Sequence, residues 1–386
     1  MIYLDYNATS PVHPDVRRAV RPFLEEIFGN PSSLHACGRE ARGAVEGARA
    51  ELLSALGDVK GRLYFTSGGT EADNLAIRGV LEALKGGGKD HLVVSSVEHH
   101  AVLHTAQALL KEGFRVTFVP VDRDGRIHLD ALEEAIGPAT ALLSVMHANN
   151  ETGTVQPIDE IGRIAHARGV LFHTDAVQSF GKVPLDVRGA GVDLASLSSH
   201  KLGGLKGTGA LYVRPGVPLR PLLHGGPQEG NFRGGTEGVL GIVGMGAAVA
   251  AARRDEETQG LAAVRKLRDQ LEEGLRKRVP EVRLNGHPAS RLPGTLNLSF
   301  LGCHGEILMM NLDLAGICVS TGSACSSGST EPSHVLVAMG LTPAQVGGSI
   351  RFSLGWGTTG EEIDRCLEII PPIVEQVRHA RTEVSS

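Results

Sequence analysis

Short β-rich runs alternate with helical patterns along more than half of this 386-residue chain. The runs are "LYFTS" at 63–67, "HLVVSS" at 91–96, "RVTFVPV" at 115–121, "ALLSVMH" at 141–147, "VLFHTDA" at 170–176, "DLASLSSH" at 193–200 and "GALYVR" at 209–214. Helical patterns such as 70–84 and 157–169 separate most of them. Buried strands joined through helices are typical of a mostly parallel sheet that is covered on both faces. The chain is therefore predicted to have an α/β fold with a seven-stranded, mostly parallel sheet.

The pattern changes beyond about Val249, where strands become sparse and a charged helical stretch covers 255–279. After it, "TLNLSF", "GICVS" and "SIRFSLG" read as strands, and 361–380 reads as a closing helix. This mixture indicates a smaller α+β unit. We predict a large α/β domain over 15–250, and a small α+β domain formed by 1–14 together with 251–386.

Charge and cysteine content exclude several classes of partner. The net charge is -5 and no Lys/Arg block occurs, which argues against direct nucleic-acid or membrane binding and favours a small-molecule substrate. The first residues have no basic and apolar regions of the kind found in secretory signals, and no run of 18 apolar residues occurs, so we expect neither a secretory signal nor a membrane span. The five cysteines are odd in number and form no CxxC pair, which disfavours a disulfide framework or a metal site. We expect reduced thiols and a cytoplasmic protein.

The segment "FTSGGTEADN" at 65–74 combines a strand, a glycine turn and a helix start. The first turn of a helix leaves backbone N–H groups unpaired, and the positive end of the helix dipole attracts anions. Gly69 and Thr70 are therefore candidate phosphate ligands. The alternative is an ordinary helix start in which Thr70 is the capping residue.

Two later strand ends also carry polar residues, and open α/β sheets bind their ligands at the carboxyl ends of strands. Asp175 is suited to hold a protonated pyridine nitrogen, and Gln178 could donate to a ring hydroxyl. Lys201 follows Ser198 and His200 at the next strand end, and its amine is suited to a Schiff base. Taken singly, Asp175 could be a helix N-cap and Lys201 a solvated surface charge.

Cys325 lies among small residues in "STGSACSSG" at 320–328. A free cysteine usually packs as a small hydrophobe, but this segment offers no large apolar neighbour. Gly322 and Gly328 favour a mobile loop around the thiol. The segment indicates a reactive cysteine, with a chance loop cysteine as the alternative.

Together these segments resemble the fold type I pyridoxal-phosphate enzymes, and more closely the cysteine desulfurases. The resemblance covers nearly the whole chain, because the family's motifs occur here in order: "YLDYNATSPV", "FGNPSSLH", "FTSGGTEADN", "VEHHAVL", "MHANNETGTVQPI", "HTDAVQSFGK", "SSHKLGGLKGTGALYVR", "GGTE", "STGSACSSG" and "SIRFSLG". The serine-rich loop further resembles the group I branch, which supplies iron-sulfur cluster assembly and tRNA thiolation.

The resemblance implies a binding site for pyridoxal 5'-phosphate. Asp175 would pair with the ring nitrogen and make the ring an electron sink, while Lys201 would carry the cofactor. His99 would stack on the ring, and Asn150 would lie near the ring hydroxyl and the substrate. Thr236 would reach the phosphate of the neighbouring subunit, which implies a homodimer. Taken singly, His99 could be a helix-start histidine and Asn150 a turn residue.

The implied substrate is L-cysteine, whose carboxylate Arg351 would clamp bidentately. Asn7 and Asn30 would line the same pocket. Cys325 as a thiolate would attack the substrate sulfur, giving L-alanine and a persulfide that passes to a sulfur-acceptor protein.

A thiol with a pKa of about 8.5 is only a few per cent ionised at pH 7, so a base such as His99 or the Schiff base is implied. Two alternatives are an aminotransferase or lyase of the same fold, which would not need Cys325, and a catalytically idle scaffold that binds sulfur-transfer partners.

Overall fold

A computed structural model of the protein describes residues 1–257, 260–321 and 331–384. The strands of the described chain are β1 (Ile2–Tyr3), β2 (Arg62–Thr66), β3 (His91–Ser95), β4 (Arg115–Val119), β5 (Thr140–Ser144), β6 (Leu171–Asp175), β7 (Leu194–Ser198), β8 (Gly209–Val213), β9 (Val282–Asn285), β10 (Thr295–Phe300), β11 (Ile317–Cys318) and β12 (Ser349–Ser353). The α-helices are α1 (Pro14–Val20), α2 (Pro22–Glu25), α3 (Ala36–Ala55), α4 (Gly69–Leu84), α5 (His100–Lys111), α6 (Leu129–Ala135), α7 (Ile158–Ala167), α8 (Val239–Glu257), α9 (Gly260–Arg278), α10 (Gly305–Leu314), α11 (His334–Ala338), α12 (Pro343–Gly347) and α13 (Gly360–Val384).

The main sheet has seven strands in the order β2-β8-β7-β6-β5-β3-β4. Strand β8 runs antiparallel to both of its neighbours, β2 and β7, whereas the other neighbouring pairs are parallel. Strands β5, β7 and β8 are buried along their whole length, as expected for a sheet covered on both faces. Each predicted β-rich run overlaps one strand of the main sheet, so the predicted α/β class is confirmed.

Helix α3 is the main element that the sequence pattern does not predict. Its buried face consists largely of small or branched residues, including Ala41, Val45 and Ala48. It packs on α8 so closely that a Cβ atom at Gly246 would lie 2.9 Å from the Cβ of Ala48. Because small residues fill this contact, the buried face has few large apolar side chains to mark the helix in the sequence.

The carboxyl-terminal part contains a three-stranded antiparallel sheet in the order β12-β10-β9. The three predicted strands of this part are present as β10, β11 and β12, whereas β9 is an addition to the prediction. The predicted charged helical stretch is divided between the end of α8 and the whole of α9. Helix α8 therefore begins well before the charged residues, at Val239.

The amino terminus packs with this carboxyl-terminal part. Strand β1 pairs in parallel with β11, and the Ser353 N–H donates to the Leu4 carbonyl at 2.7 Å. One hydrophobic cluster accordingly joins Ile2 and Leu4 to buried residues between Val264 and Val377. Another cluster fills the space between the main sheet and its helices. Among the helices of the described chain, none combines the length and the apolar character needed to cross a bilayer.

Candidate active site

A cavity of about 340 Å³ lies at the carboxyl ends of β6 and β7. Its walls come from the amino-terminal segment, from β12 and from the five connections that follow β2, β3, β5, β6 and β7. Most of the predicted site residues line it, namely Asn7, Gly69, Thr70, His99, Asn150, Asp175, Gln178, Ser198, His200, Lys201 and Arg351. The fold thus brings together side chains that are up to several hundred residues apart in sequence.

The predicted phosphate turn forms the start of α4. The N-cap residue is Gly68, and Thr70 lies inside the first turn of the helix. The alternative in which Thr70 caps the helix is therefore wrong. A Cβ atom at Gly69 would lie 2.6 Å from Val177 Cγ2, so only a glycine allows this helix start to approach the neighbouring turn. The first backbone N–H groups of this 16-residue helix have no partner within the helix, which is the arrangement that binds phosphate.

Asp175 ends β6 and is 4% exposed. Its Oδ1 accepts a hydrogen bond from the Val177 N–H at 2.9 Å, but no regular helix begins there, so Asp175 is not a helix N-cap. Burial raises its pKa to about 6, against the lowering effects of the Val177 N–H and the charge of Lys201. A cation placed beside this carboxylate would relieve the penalty for its ionisation.

Asp73 lines the same cavity although the sequence patterns do not predict it. Its side chain is 1% exposed, and its Oδ1 has no hydrogen-bond partner among the described residues. Burial, followed by the charge of Asp175, raises the pKa of Asp73 well above its ordinary value. The available signal is its position one helical turn after Gly69, which puts both residues on one face of α4.

Lys201 is held by the amino-terminal segment. Its Nζ donates to the carbonyl oxygens of Asn7 at 2.6 Å and Ala8 at 2.9 Å. The neighbouring His200 also contacts this segment. Its backbone carbonyl accepts a hydrogen bond from the Ser10 N–H, and its ring Nδ1 lies 3.1 Å from Thr9 Oγ1. Lys201 is therefore an enclosed amine of the cavity, and the surface-charge alternative is wrong.

His99 both starts a helix and lines the cavity. Its Nδ1 accepts the Ala101 N–H at 3.1 Å, so the neutral ring carries its proton on Nε2. Burial, and then the charge of Lys201, lower the pKa of His99 to about 4, which keeps the ring neutral near pH 7. The adjacent His100 stacks on His104 with ring centroids 4.7 Å apart, and it does not line the cavity.

Arg351 lies on β12 and is 1% exposed. Its guanidinium donates to the Asn150 carbonyl at 3.1 Å and to Asp5 Oδ1 at 2.7 Å. The Nε atom is buried and has no hydrogen-bond partner among the described residues. Asn7 fixes the same corner, because its Nδ2 donates to the Asn150 carbonyl and to Thr295 Oγ1. An unused donor at a buried arginine fits a carboxylate ligand.

Three predicted residues are not brought to this cavity by the described chain. Asn30 is exposed, and its Oδ1 accepts the Ser32 N–H at 2.9 Å. Thr236 is exposed on a loop that precedes α8. Cys325 lies outside the described residues. The roles of all three stay predictions.

Comparison with known proteins identifies the family. Residues 2–366 match the aminotransferase class-V family. The cysteine desulfurase IscS of Dictyoglomus turgidum is 49% identical over 379 residues, which are 98% of this chain and 95% of that protein. The IscS desulfurase of Methanosarcina thermophila is 50% identical over 378 residues, which are 98% of this chain and 93% of that protein. The chain belongs to the cysteine desulfurases.

Solved structures agree with this assignment. A NifS-like protein superposes on this desulfurase with a TM-score of 0.91 at 38% identity, over 97% of this chain and 99% of its own. SspA, solved in complex with cysteine, superposes with a TM-score of 0.80 at 37% identity, over 93% of this chain and all of its own. The predicted family, enzyme class and dependence on pyridoxal phosphate are confirmed, which removes the aminotransferase and scaffold alternatives.

The residues of the cavity fit this cofactor and an amino-acid substrate. The helix start at Gly69 offers backbone amides to a phosphate, the buried carboxyl of Asp175 needs a cation, and the unpaired Nε of Arg351 needs an anion. Each of these groups lacks a full complement of partners in the protein itself. Pyridoxal phosphate with a bound amino acid has the matching group for each.

Proposed function

We propose that this desulfurase receives the sulfur of L-cysteine on Cys325 as a persulfide and passes it to an acceptor protein of iron-sulfur cluster assembly or tRNA thiolation. L-alanine would be the other product. Two contacts support the position of the thiol loop. Ser320 pairs with Arg351 through two backbone hydrogen bonds, and Ser333 Oγ donates to Glu151 Oε2 at 2.5 Å. Both ends of the loop are therefore tied to residues beside the cavity.

The observation that carries the proposal is the pairing of Ser320 with Arg351. Cys325 follows Ser320 by five residues, and five extended residues span at most about 18 Å. A thiol on that tether can approach the sulfur of a substrate whose carboxylate is held by Arg351. It can also leave the cavity to meet an acceptor.

Separate residues of the cavity would bind the substrate, the cofactor ring and the cofactor phosphate. Arg351 would hold the substrate carboxylate, Asp175 the ring nitrogen, and the amides of Gly69 and Thr70 the phosphate. Pyridoxal phosphate, when bound, supplies the electron sink that weakens bonds at the substrate α-carbon. Lys201 would move a proton at that carbon.

His99 is suited to stack on the ring rather than to deprotonate the thiol of Cys325. Its Nδ1 is occupied by the Ala101 N–H, and its pKa is about 4. A base this weak would capture a thiol proton only rarely at pH 7. A basic group on the bound substrate or on the cofactor is therefore better suited than His99 to receive the proton of the Cys325 thiol.

We also infer a homodimer, in which Thr236 of one chain reaches the cofactor phosphate of the other. The exposure of Thr236 in the single chain is consistent with this role.

The separate hydrophobic clusters support a division into a large domain over 15–250 and a small domain of 1–14 with 251–386. A cytoplasmic location is supported by the free thiols of Cys37, Cys303, Cys318 and Cys366.

The experiment that tests the proposed function is the Cys325→Ser variant. We expect it to keep the visible absorption of the lysine-bound cofactor, while alanine formation and protein-bound persulfide both fall to background. A serine hydroxyl is much less acidic than a thiol and attacks sulfur poorly. Cys37→Ser, which removes an exposed thiol on α3, is the matched control and should retain full activity. Wild-type alanine formation by Cys325→Ser would show that sulfur leaves without this thiol.

A further inference from the structure

A second amine lies behind Lys201. Lys182 and Lys201 both line another cavity of about 220 Å³, formed mainly by apolar residues and by Trp356. Lys182 is only partly accessible. The roles assigned above do not use Lys182, and a lysine drawn away from solvent usually has a partner for its amine.

The backbone holds Lys182 in a defined position. The preceding Gly181 has φ of 72°, and a Cβ atom there would lie 2.7 Å from Leu202 Cδ2. The Lys182 N–H donates to the Ser179 carbonyl at 2.9 Å and closes the turn that follows β6. The side chain therefore leaves the same turn that carries Asp175 and Gln178.

Lys182 contacts the amide of Gln178. Its Nζ lies 3.4 Å from Gln178 Oε1, while Gln178 Nε2 donates to the Asn7 carbonyl at 2.9 Å. The Asn7 carbonyl can only accept, so it holds Gln178 Nε2 and leaves Oε1 facing the amine of Lys182, which can donate to it in either protonation state. The Nε2 atom keeps a second hydrogen, and Gln178 lines the cofactor cavity.

The same carbonyl of Asn7 also accepts the amine of Lys201. One chain of contacts thus runs from Lys182 through Gln178 and Asn7 to Lys201. The charges of Lys201 and Arg351, both cations, act on Lys182, and the carboxylate of Asp255 lines the same cavity. Burial, and then the charges of these two cations, lower the pKa of Lys182 to about 7.

We propose that Lys182 is a positioning residue of the cofactor site, which fixes and polarises the Gln178 amide so that Nε2 donates into the cavity. A cation at Oε1 withdraws charge from the amide and makes its N–H a stronger donor. The inference rests on the cofactor site and not on the role of Cys325. Failure of the Cys325→Ser prediction would therefore leave it standing.

The test is a double-mutant cycle on cofactor affinity. The full-length protein is freed of cofactor, and its dissociation constant for pyridoxal phosphate is measured by equilibrium dialysis, with circular dichroism as a check on folding. Lys182→Met should weaken binding by roughly three- to tenfold, as expected for one lost hydrogen bond. In a Gln178→Leu background, the same substitution should change the constant by less than about twofold.

Three further variants complete the cycle. Lys182→Arg keeps a cationic donor and should restore most of the affinity, whereas Lys206→Met removes an exposed lysine and should have no effect. Lys182→Gln replaces Lys182→Met if the latter does not fold. Undiminished affinity in Lys182→Met, or an equal loss in the Gln178→Leu background, would overturn the proposal. Failure of the wild type to bind pyridoxal phosphate would instead refute the cofactor site itself.

Discussion

Asp175→Asn should stabilise the cofactor-free protein while weakening its cofactor site. Burial raises the pKa of Asp175 from its ordinary value of 3.8 to about 6. Each pKa unit corresponds to about 1.36 kcal/mol, so the ionised carboxylate destabilises the folded state by about 3 kcal/mol. Asparagine keeps the oxygen that accepts the Val177 N–H and removes the buried charge. Binding sites often lower the stability of the empty protein in this way, because a buried charge that is unfavourable without the ligand is paired once the ligand is bound.

The pH dependence has a definite sign. Well below the unfolded pKa of about 3.9 the carboxyl is protonated in both states, so its charge contributes nothing to the stability difference between the wild type and Asp175→Asn. As the pH rises, the unfolded wild-type chain ionises first, and the folded state loses stability until the pH passes about 6. Above that value the ionised Asp175 still opposes the ionisation of Asp73, so the variant keeps its advantage.

The assay is thermal unfolding of both cofactor-free proteins at pH 4 and pH 7.5. At pH 7.5 we expect the variant to unfold roughly 5 °C higher, and its affinity for pyridoxal phosphate to fall at least tenfold. Asp313→Asn, at an exposed aspartate of α10, is the control and should shift stability by less than about 0.5 kcal/mol. Equal midpoints at pH 7.5, or a lower midpoint for the variant, would refute the assignment of a strained buried carboxylate.

Three other predictions concern the lysine, a buried ion pair and the assembly. Lys201→Ala should abolish alanine formation without unfolding the protein, and near-normal turnover would exclude Lys201 as the cofactor lysine. Glu229→Ala should lower the free energy of unfolding by about 3 kcal/mol, because the Glu229 carboxylate, 3% exposed, pairs with Arg49 at 2.9 Å. Glu46→Ala, which removes the exposed partner of the same arginine, should cost less than about 1 kcal/mol in urea denaturation, and equal losses would contradict this reasoning. Sedimentation should show a dimer at working concentrations, and a fully active monomer would argue against a composite site.

The main sheet could be predicted because its strands are local features. Most are short, largely buried runs bounded by turns and helices, as at His91–Ser95, and such runs need no knowledge of their neighbours. The order of the strands, and the reversed direction of β8, depend on pairings between distant segments. Helix α3 escaped prediction for a related reason, since its small residues have meaning only against α8.

The candidate site could be predicted where a residue follows a strand directly. Asp175 and Lys201 are of this kind, because the end of a parallel strand is also the place where ligands bind. The sequence patterns do not single out Asp73 and Lys182, since an aspartate on a helix and a lysine in a turn are ordinary surface residues in most sequences. Their environment is created by burial, which the local pattern does not reveal.

The sequence by itself determined the chemical groups and the segments that present them: a helix start for an anion, an acid and an amine at neighbouring strand ends, and a thiol among small residues. Only the tertiary structure decided how these groups are tuned. The amino-terminal segment crosses the molecule so that Asn7 meets Lys201, Gln178 and Asn150, and Ser320 pairs with Arg351. These contacts join positions far apart in the chain, and their energies depend on exclusion of water, which exists only once the chain has folded.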